Sequence, residues 1–337
     1  MHDFVVLGAG ISGLACARRL ARGGADVVVL DRADKPGGRC ATRWHEGQPF
    51  DYGPLFLHGS DPEFLRAMTE AVPVGRLEGW PRRVAGHGMP CQPKAFAPHE
   101  TRLAVAGGLT LVPQALSQGL QIRLRTLVTG LRVQADGITV ETESGGTVTC
   151  RAAAVCLALE QSLARVDGIG AETASAVAVL RMFTSLPCLA VVAGYAAGRA
   201  VMPDWDVLYP DDNAAVMVVG NETSKRAEKA GGGLTLVIQA SPRWSHRNLE
   251  RPKEEWSKAL LAETARVLGP WAGAPDWTHE HRWRYGRLDL ANELAAPLVI
   301  PVGKHRLGVA GDLFAPGGGA QAAWISGDRL GQMLSTP

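Results

Sequence analysis

This chain is short of strong charge, long apolar runs, paired cysteines and tyrosine, and each shortage excludes something. Its 35 Lys and Arg nearly balance 33 Asp and Glu, leaving a formal net charge of +2. That leaves no basic field for nucleic acid or for an anionic lipid surface. No apolar run is long enough to span a membrane. Residues 1–3 lead straight into an apolar strand pattern, so a cleaved leader is not expected. The six cysteines, Cys16, Cys40, Cys91, Cys150, Cys156 and Cys188, contain no Cys-x-x-Cys pair. A dithiol redox centre of that kind is therefore excluded, and scattered thiols suit a reducing, cytoplasmic setting. His279 and His281 stand two apart with no third ligand nearby, so no metal site is expected. No internal repeat or low-complexity tail is visible either.

What is present starts at once. Residues 4–7 read as a strand, followed by Gly8-Ala9-Gly10-Ile11-Ser12-Gly13, a helix over 14–22, and a strand over 27–30 ending in Asp31. Strand, glycine turn, helix, strand, acid is the dinucleotide-binding fingerprint in its full context. Gly8 permits the tight turn, Gly10 leaves room for a pyrophosphate, and Gly13 lets the helix approach the sheet. Free N–H groups at the helix start, around Ile11 and Ser12, hold the phosphate charge together with the helix dipole. Asp31 is placed to accept hydrogen bonds from ribose hydroxyls. A glycine-rich turn with no ligand would leave Asp31 unexplained.

The remaining pattern is α/β. A helix is expected over 111–118, a meander over 128–133, 138–143 and 147–151, and a separate apolar strand over 153–158. Asp136-Gly137 and Gly145-Gly146 supply the hairpin turns. Residues 59–98 read as a polar stretch with Pro and Gly. Further strands are expected over 186–195, 216–220, 234–240 and 277–285, with a helix over 252–268. At the end come a strand over 307–310, then Gly311-Asp312, Gly317-Gly318-Gly319 and a helix over 320–334.

Two of these motifs resemble known flavoproteins. Gly37-Gly38-Arg39, just after Asp31 and Arg32, resembles the extended motif of FAD enzymes of the amine oxidase and glutathione reductase type. Gly311-Asp312 before a final helix resembles the flavin amine oxidases, where such an aspartate holds the ribityl chain. Leu186–Val191, then Gln239–Ser245 with Asn248-Leu249, His281–Tyr285 and Ala323–Gly327 resemble segments of bacterial renalase-like flavoproteins. That resemblance covers nearly the whole chain. It implies a Rossmann-like FAD-binding domain of the p-hydroxybenzoate hydroxylase type, over 1–58, 99–160 and 296–337. An inserted α+β substrate domain would occupy 59–98 and 161–295.

The resemblance also implies the cofactor and its contacts. Non-covalent FAD is expected, because no cysteine for covalent attachment lies in 316–324. Expected cofactor contacts are Gly8, Gly10, Ile11, Ser12, Gly13, Asp31, Arg32, Gly38, Arg39, Pro54, Leu55, Phe56, Val128, Gly311, Asp312, Gly319, Ala320 and Gln321. The implied activity is oxidation of off-position dihydronicotinamide isomers of NAD(P)H to NAD(P)+, with O2 taking the electrons to give hydrogen peroxide. The expected partners are thus a small molecule and O2, for a monomer or homodimer. Departures from the family pattern occur at Pro54–Gly59 and at Val105–Leu109, both segments that approach flavin or substrate.

Oxidation by hydride transfer to the flavin needs no base when the product is a stable pyridinium. His58 is nevertheless a candidate, either titrating near neutral pH or hydrogen-bonded in a loop. Trp283 and Tyr285 are candidates for a substrate wall or for sheet packing, and Trp324 for flavin contact or core. Two other readings stay open. Leu57-His58-Gly59 is closer to amine and polyamine oxidases, which suggests an amine oxidase or a desaturase. The four tyrosines are a thin supply for the aromatic cage a cationic amine wants. A non-catalytic FAD-fold binding protein is the remaining alternative.

Overall fold

The strand His2–Leu7 pairs in parallel with Val27–Leu30 on one side and with residues 150–155 on the other. In this computed structural model, which describes residues 1–226, 232–289 and 293–336, these strands form the middle of an eight-stranded mixed sheet. Gln121–Arg123 adds a parallel edge beside Val27–Leu30.

The meander and the apolar strand after it are one element. Thr147–Val155 runs unbroken. Its first half pairs antiparallel with Ile138–Thr142, and its second half pairs in parallel with His305–Val309 on the same edge. Two separate strands, over 147–151 and 153–158, were expected. No break forms, because His2–Leu7 pairs along the other edge through this junction and keeps the chain extended.

Helix Ile11–Arg22 and the last helix, Gly319–Ser335, pack together beneath this sheet. Glycine permits that approach: a Cβ on Gly327 would lie 2.0 Å from the Ser12 carbonyl oxygen, and one on Gly331 2.9 Å from that of Cys16.

The second sheet has six strands, in the order Trp277–Leu288, Ser185–Tyr195, Leu234–Ala240, Val216–Asn221, Val207–Leu208 and Val84–Ala85. Side-chain alternation along Ser185–Tyr195 separates two cores. Leu189, Val191 and Ala193 pack with Trp256, Leu260 and Leu261 of helix Lys253–Leu268. Val192 faces the other way, with Val218, Val237, Phe50, Tyr52, Leu55 and Phe56. This second face turns toward the segment that links the two sheets.

Residues 59–98, expected as one polar piece of the substrate domain, divide instead. Helix Pro62–Ala71 buries Phe64 and Met68 in the core that holds Val6, Leu14 and Leu20 of the first sheet and its helix. Val84–Ala85 joins the edge of the second sheet. The helix was hidden because only two of its ten residues are buried. No helix among the described residues is long and apolar enough to cross a membrane.

Candidate active site

The glycine turn forms a cradle. Gly8 has φ +102°, and a Cβ there would lie 2.6 Å from the Cys156 carbonyl oxygen. A Cβ on Gly13 would lie 1.9 Å from the Gly8 carbonyl oxygen, so Gly13 serves the helix–strand contact and lies behind the cleft. Gly10 differs: a Cβ there would meet nothing within 4 Å and would project into open space. Beside it the Ser12 hydroxyl oxygen is buried with no hydrogen-bond partner. An open glycine, an orphaned hydroxyl and free helix N–H groups are the donor set a pyrophosphate fits.

Asp31 closes the far side. One carboxylate oxygen accepts from the Ala9 amide at 2.6 Å, the other from the Ala33 amide at 2.7 Å. Asp31, expected to accept from ribose hydroxyls, is therefore fixed in place by the backbone on either side of it. Arg39 was expected to add charge near the pyrophosphate, and Asp312 to hold the ribityl chain. Both line the cleft, and they also bond to each other through two N–H···O contacts. The Asp312 carboxylate holds the Arg39 guanidinium above its ordinary pKa.

The cradle opens into a cavity of about 1440 Å³, larger than the ~300–1,000 Å³ of a typical small-ligand pocket. It has room for a dinucleotide and a second molecule. Ile11, Arg32, Gly38, Pro54, Leu55, Phe56, His58, Val128, Gly311, Gly319 and Ala320 line it, as do Trp283 and Tyr285. Three expected residues, Gly13, Gln321 and Trp324, do not. The Gln321 side-chain oxygen accepts from the Ser60 and Asp61 amides at 2.7 and 2.8 Å, which ties the last helix to the start of Pro62–Ala71. Trp324 packs edge-on against Phe64, with centroids 6.3 Å apart, and borders a separate small hollow. Both lie on faces of the last helix turned toward Pro62–Ala71.

The loop carrying Pro54–Phe56 is fixed at its start, over Asp51, Tyr52 and Gly53. Asp51 is buried and accepts from Thr42 Oγ1 at 2.6 Å, the Leu109 amide at 2.9 Å and Lys225 Nζ at 3.0 Å. Lys225 also reaches buried Glu222 at 2.6 Å. Burial pushes the Glu222 carboxyl up against the opposing pull of Lys225. The Trp283 indole donates to the Tyr52 carbonyl at 2.8 Å, and Gln239 Nε2 to the Gly53 carbonyl at 2.5 Å.

The opposite wall is built on strand Trp277–Leu288. Trp277, His279, His281, Trp283 and Tyr285 line the cleft at the two-residue period of a strand, with Thr278, Arg282 and Arg284 along its border and Arg287 beyond a register shift. Tyr52 stacks on Trp283 at 5.3 Å and 17°, and His45 on Trp277 at 3.9 Å and 21°. Burial lowers both imidazoles to about 4, helped by Arg43 at His279 and by His279 at His281, so both are neutral at pH 7. His58 Nδ1 lies 2.8 Å from Glu100. Sequence reasoning passed over His279, His281 and Arg287 as cleft residues. The alternation was legible, but the partner loop around Tyr52 is remote in sequence.

Charge in the cleft is segregated. Its acids are Asp31, Asp34 and Asp312, all at the cradle, whereas Arg43, Lys94, Arg282 and Arg287 line the other half without a carboxylate among the described lining residues; Arg284 also lines it but is paired with Glu250. The described residues contain no cluster of three or more metal-ligating side chains.

The fold and cradle define a dinucleotide-binding flavoprotein with a second sheet closing the cofactor cleft. Residues 6–71 match the NAD(P)-binding Rossmann-like domain and residues 83–330 match flavin containing amine oxidoreductase. The chain belongs to the flavin-containing amine oxidoreductase family, so FAD is its cofactor and oxidoreduction its class of chemistry.

Among curated proteins it is 48% identical over 69 residues to the lycopene-forming phytoene desaturase of Pseudescherichia vulneris, covering 20% of this chain and 13% of the desaturase. It is 46% identical over 59 residues to Probable polyamine oxidase 4 of Arabidopsis thaliana, covering 18% of this chain and 12% of that protein. These matches thus span a small part of the relatives' length. Cyclohexylamine oxidase from Brevibacterium oxydans shares the fold with a TM-score of 0.71 at 15% identity, over 99% of each chain. Putrescine oxidase bound to putrescine does so with a TM-score of 0.70 at 16% identity, over 100% of this chain and 99% of that one.

Proposed function

We propose that this protein is an FAD-dependent oxidase acting on a flat, anionic, reduced substrate, in the first place the off-position dihydronicotinamide isomers of NAD(P)H. The observation that carries this reading is the acid-free half of the cleft, walled by rings and cations. A protonated amine would meet Arg43, Arg282 and Arg287 there with no carboxylate to receive it. A phosphate-bearing substrate finds attraction instead, and its planar ring finds stacking surface along Tyr52, Trp283 and the neutral imidazoles.

FAD held at the cradle of Gly10, Ser12 and Asp31 would supply a two-electron acceptor for the substrate's hydride, with O2 as the final oxidant giving hydrogen peroxide. The chain's own residues bind and orient. The 50–56 loop, fixed by Asp51 and Lys225, presents Pro54–Phe56 to the cleft. No base is required, because the oxidised ring is a stable cation. We also take the FAD as dissociable, since 316–324 offers no cysteine.

An anaerobic titration of the yellow holoprotein with the dihydronicotinamide isomers, NADH and NADPH tests this. Rapid bleaching by the isomers and slow bleaching by the ordinary forms is expected. No rapid bleaching by any of them rejects the substrate class. Family membership and the likeness to putrescine and cyclohexylamine oxidases support a second reading, amine oxidation or desaturation. Bleaching by putrescine or cyclohexylamine would establish it. Failure to take up FAD would favour a non-catalytic protein.

A further inference from the structure

Arg287 sits where the edge strand of the second sheet, Trp277–Leu288, falls out of step with its neighbour Ser185–Tyr195. Leu186 pairs with Arg287 and Cys188 with Trp283, so four residues of one strand span two of the other. Pro187 lies opposite the extra pair. It has no N–H to donate, so the ladder cannot continue through it. Gly286 makes the resulting bulge possible: a Cβ there would lie 3.0 Å from Cys188 Cβ and 3.2 Å from the Leu186 carbonyl oxygen. Bulges beside active sites re-aim side chains, and this one sets Arg287 in the cleft wall.

The guanidinium is poorly satisfied there. Nη1 reaches Met217 Sδ at 3.4 Å and Nη2 reaches Gln239 Oε1 at 3.5 Å. The thiols of Cys91 and Cys188 are its other polar neighbours. Among the described residues it pairs with no carboxylate, unlike Arg39 or Arg83. Gln239 cannot swing closer, because its amide nitrogen is held by the Gly53 carbonyl. Five N–H donors in a rigid fork thus meet one amide oxygen at 3.5 Å and otherwise only sulfur, a weak acceptor. An enclosed cation with spare donors, reached through a cavity, is a receptor awaiting an acceptor.

We propose that Arg287 is a specificity-determining anion receptor, binding an oxyanion, carboxylate or phosphate, carried by the substrate. This rests on the reading of the cleft as a substrate site and narrows it to substrates with such a group.

The test titrates oxidised holoprotein with benzoate, phenyl phosphate and benzylamine, following the visible flavin spectrum and the heat of binding. Wild type is expected to bind benzoate or phenyl phosphate at least about tenfold more tightly than benzylamine, and the tighter of the two identifies the oxyanion. Arg287→Met should lose at least about tenfold of that affinity while Arg287→Lys retains part of it, with flavin content unchanged in the lysine variant. Benzylamine binding as tightly as the anions overturns the proposal. So does an absence of anion binding to wild type, or anion affinity unchanged in either variant. Arg287-dependent anion binding without bleaching by the dihydronicotinamide isomers would keep the receptor and reject that substrate. Bleaching by the isomers with equal rates and affinities in wild type and Arg287→Lys and Arg287→Met would do the reverse.

Discussion

Arg39 and Asp312, 273 positions apart, meet through two parallel hydrogen bonds, Nη1 to Oδ2 at 2.8 Å and Nη2 to Oδ1 at 2.7 Å. The bond joins the N-terminal glycine segment to the start of the final glycine turn, on the wall of the cofactor cleft. Asp312 is buried and Arg39 is one-third exposed, so the pair lies between a surface contact and a core one. Arg39→Ala leaves Asp312 buried and unpaired. Discounted for that exposure, we expect a loss of about 1.5–3 kcal/mol in stability. FAD content should fall with it. Denaturant midpoints and a double-mutant cycle with Asp312→Ala measure this, and additive losses would disprove the coupling.

The cradle makes different predictions for its glycines and its acid. Gly10→Val should fold but purify without flavin, because its branches enter the open space before the helix. Gly13→Val should impair folding itself, since a Cβ already collides with the Gly8 carbonyl. Asp31→Ala should weaken FAD binding by about 1–3 kcal/mol, the scale of a lost charged hydrogen bond. Flavin-to-protein ratios and circular dichroism separate these outcomes. Full flavin content in Gly10→Val would sink the pyrophosphate assignment.

His58 is held by Glu100 at 2.8 Å while also lining the cleft. With no base required, His58→Gln should slow anaerobic flavin reduction by less than about tenfold, whereas removal of a general base costs about 10²–10⁴-fold. Stopped-flow reduction across pH decides between positioning and proton transfer.

Acid should destabilise the ring-lined wall. His279 and His281 have folded pKa values lowered to about 4 from 6.5. A depressed value means the unfolded state binds protons first as pH falls. The stability linked to neutral rings is therefore present above pH 6.5 and is lost between 6.5 and 4. We expect the fall in melting temperature over that window to shrink in a His279→Gln/His281→Gln double variant. An unchanged slope would show that these rings are not the groups titrating.

Much of the site was legible where the chemistry is local. Gly8 to Asp31 is a contiguous pattern in which each residue's role follows from its neighbours, and Gly37-Gly38-Arg39 and Gly311-Asp312 are short enough to read directly. Gln321 and Trp324 misled because a helix start near a cofactor shows which residues are close but not which face they occupy. The face is set by helix Pro62–Ala71, whose few buried residues gave a weak pattern. The unbroken strand Thr147–Val155 was missed because its continuity comes from its neighbour His2–Leu7 and not from its own composition.

The sequence by itself determined the class of cofactor, through glycines and one acid whose spacing the backbone geometry of a phosphate turn demands. It also determined the alternation that puts Trp277, His279, His281, Trp283 and Tyr285 on one face of a strand. Only the tertiary structure decided what that face meets. Tyr52 and the Asp51–Lys225 pair arrive from distant segments to close the ring wall. Pro187 opposite Gly286 turns Arg287 into the half of the cleft that has no carboxylate among its described lining residues. Pairing across a sheet and charge balance within a cavity depend on contacts between residues far apart in sequence, and these form only when the chain has folded.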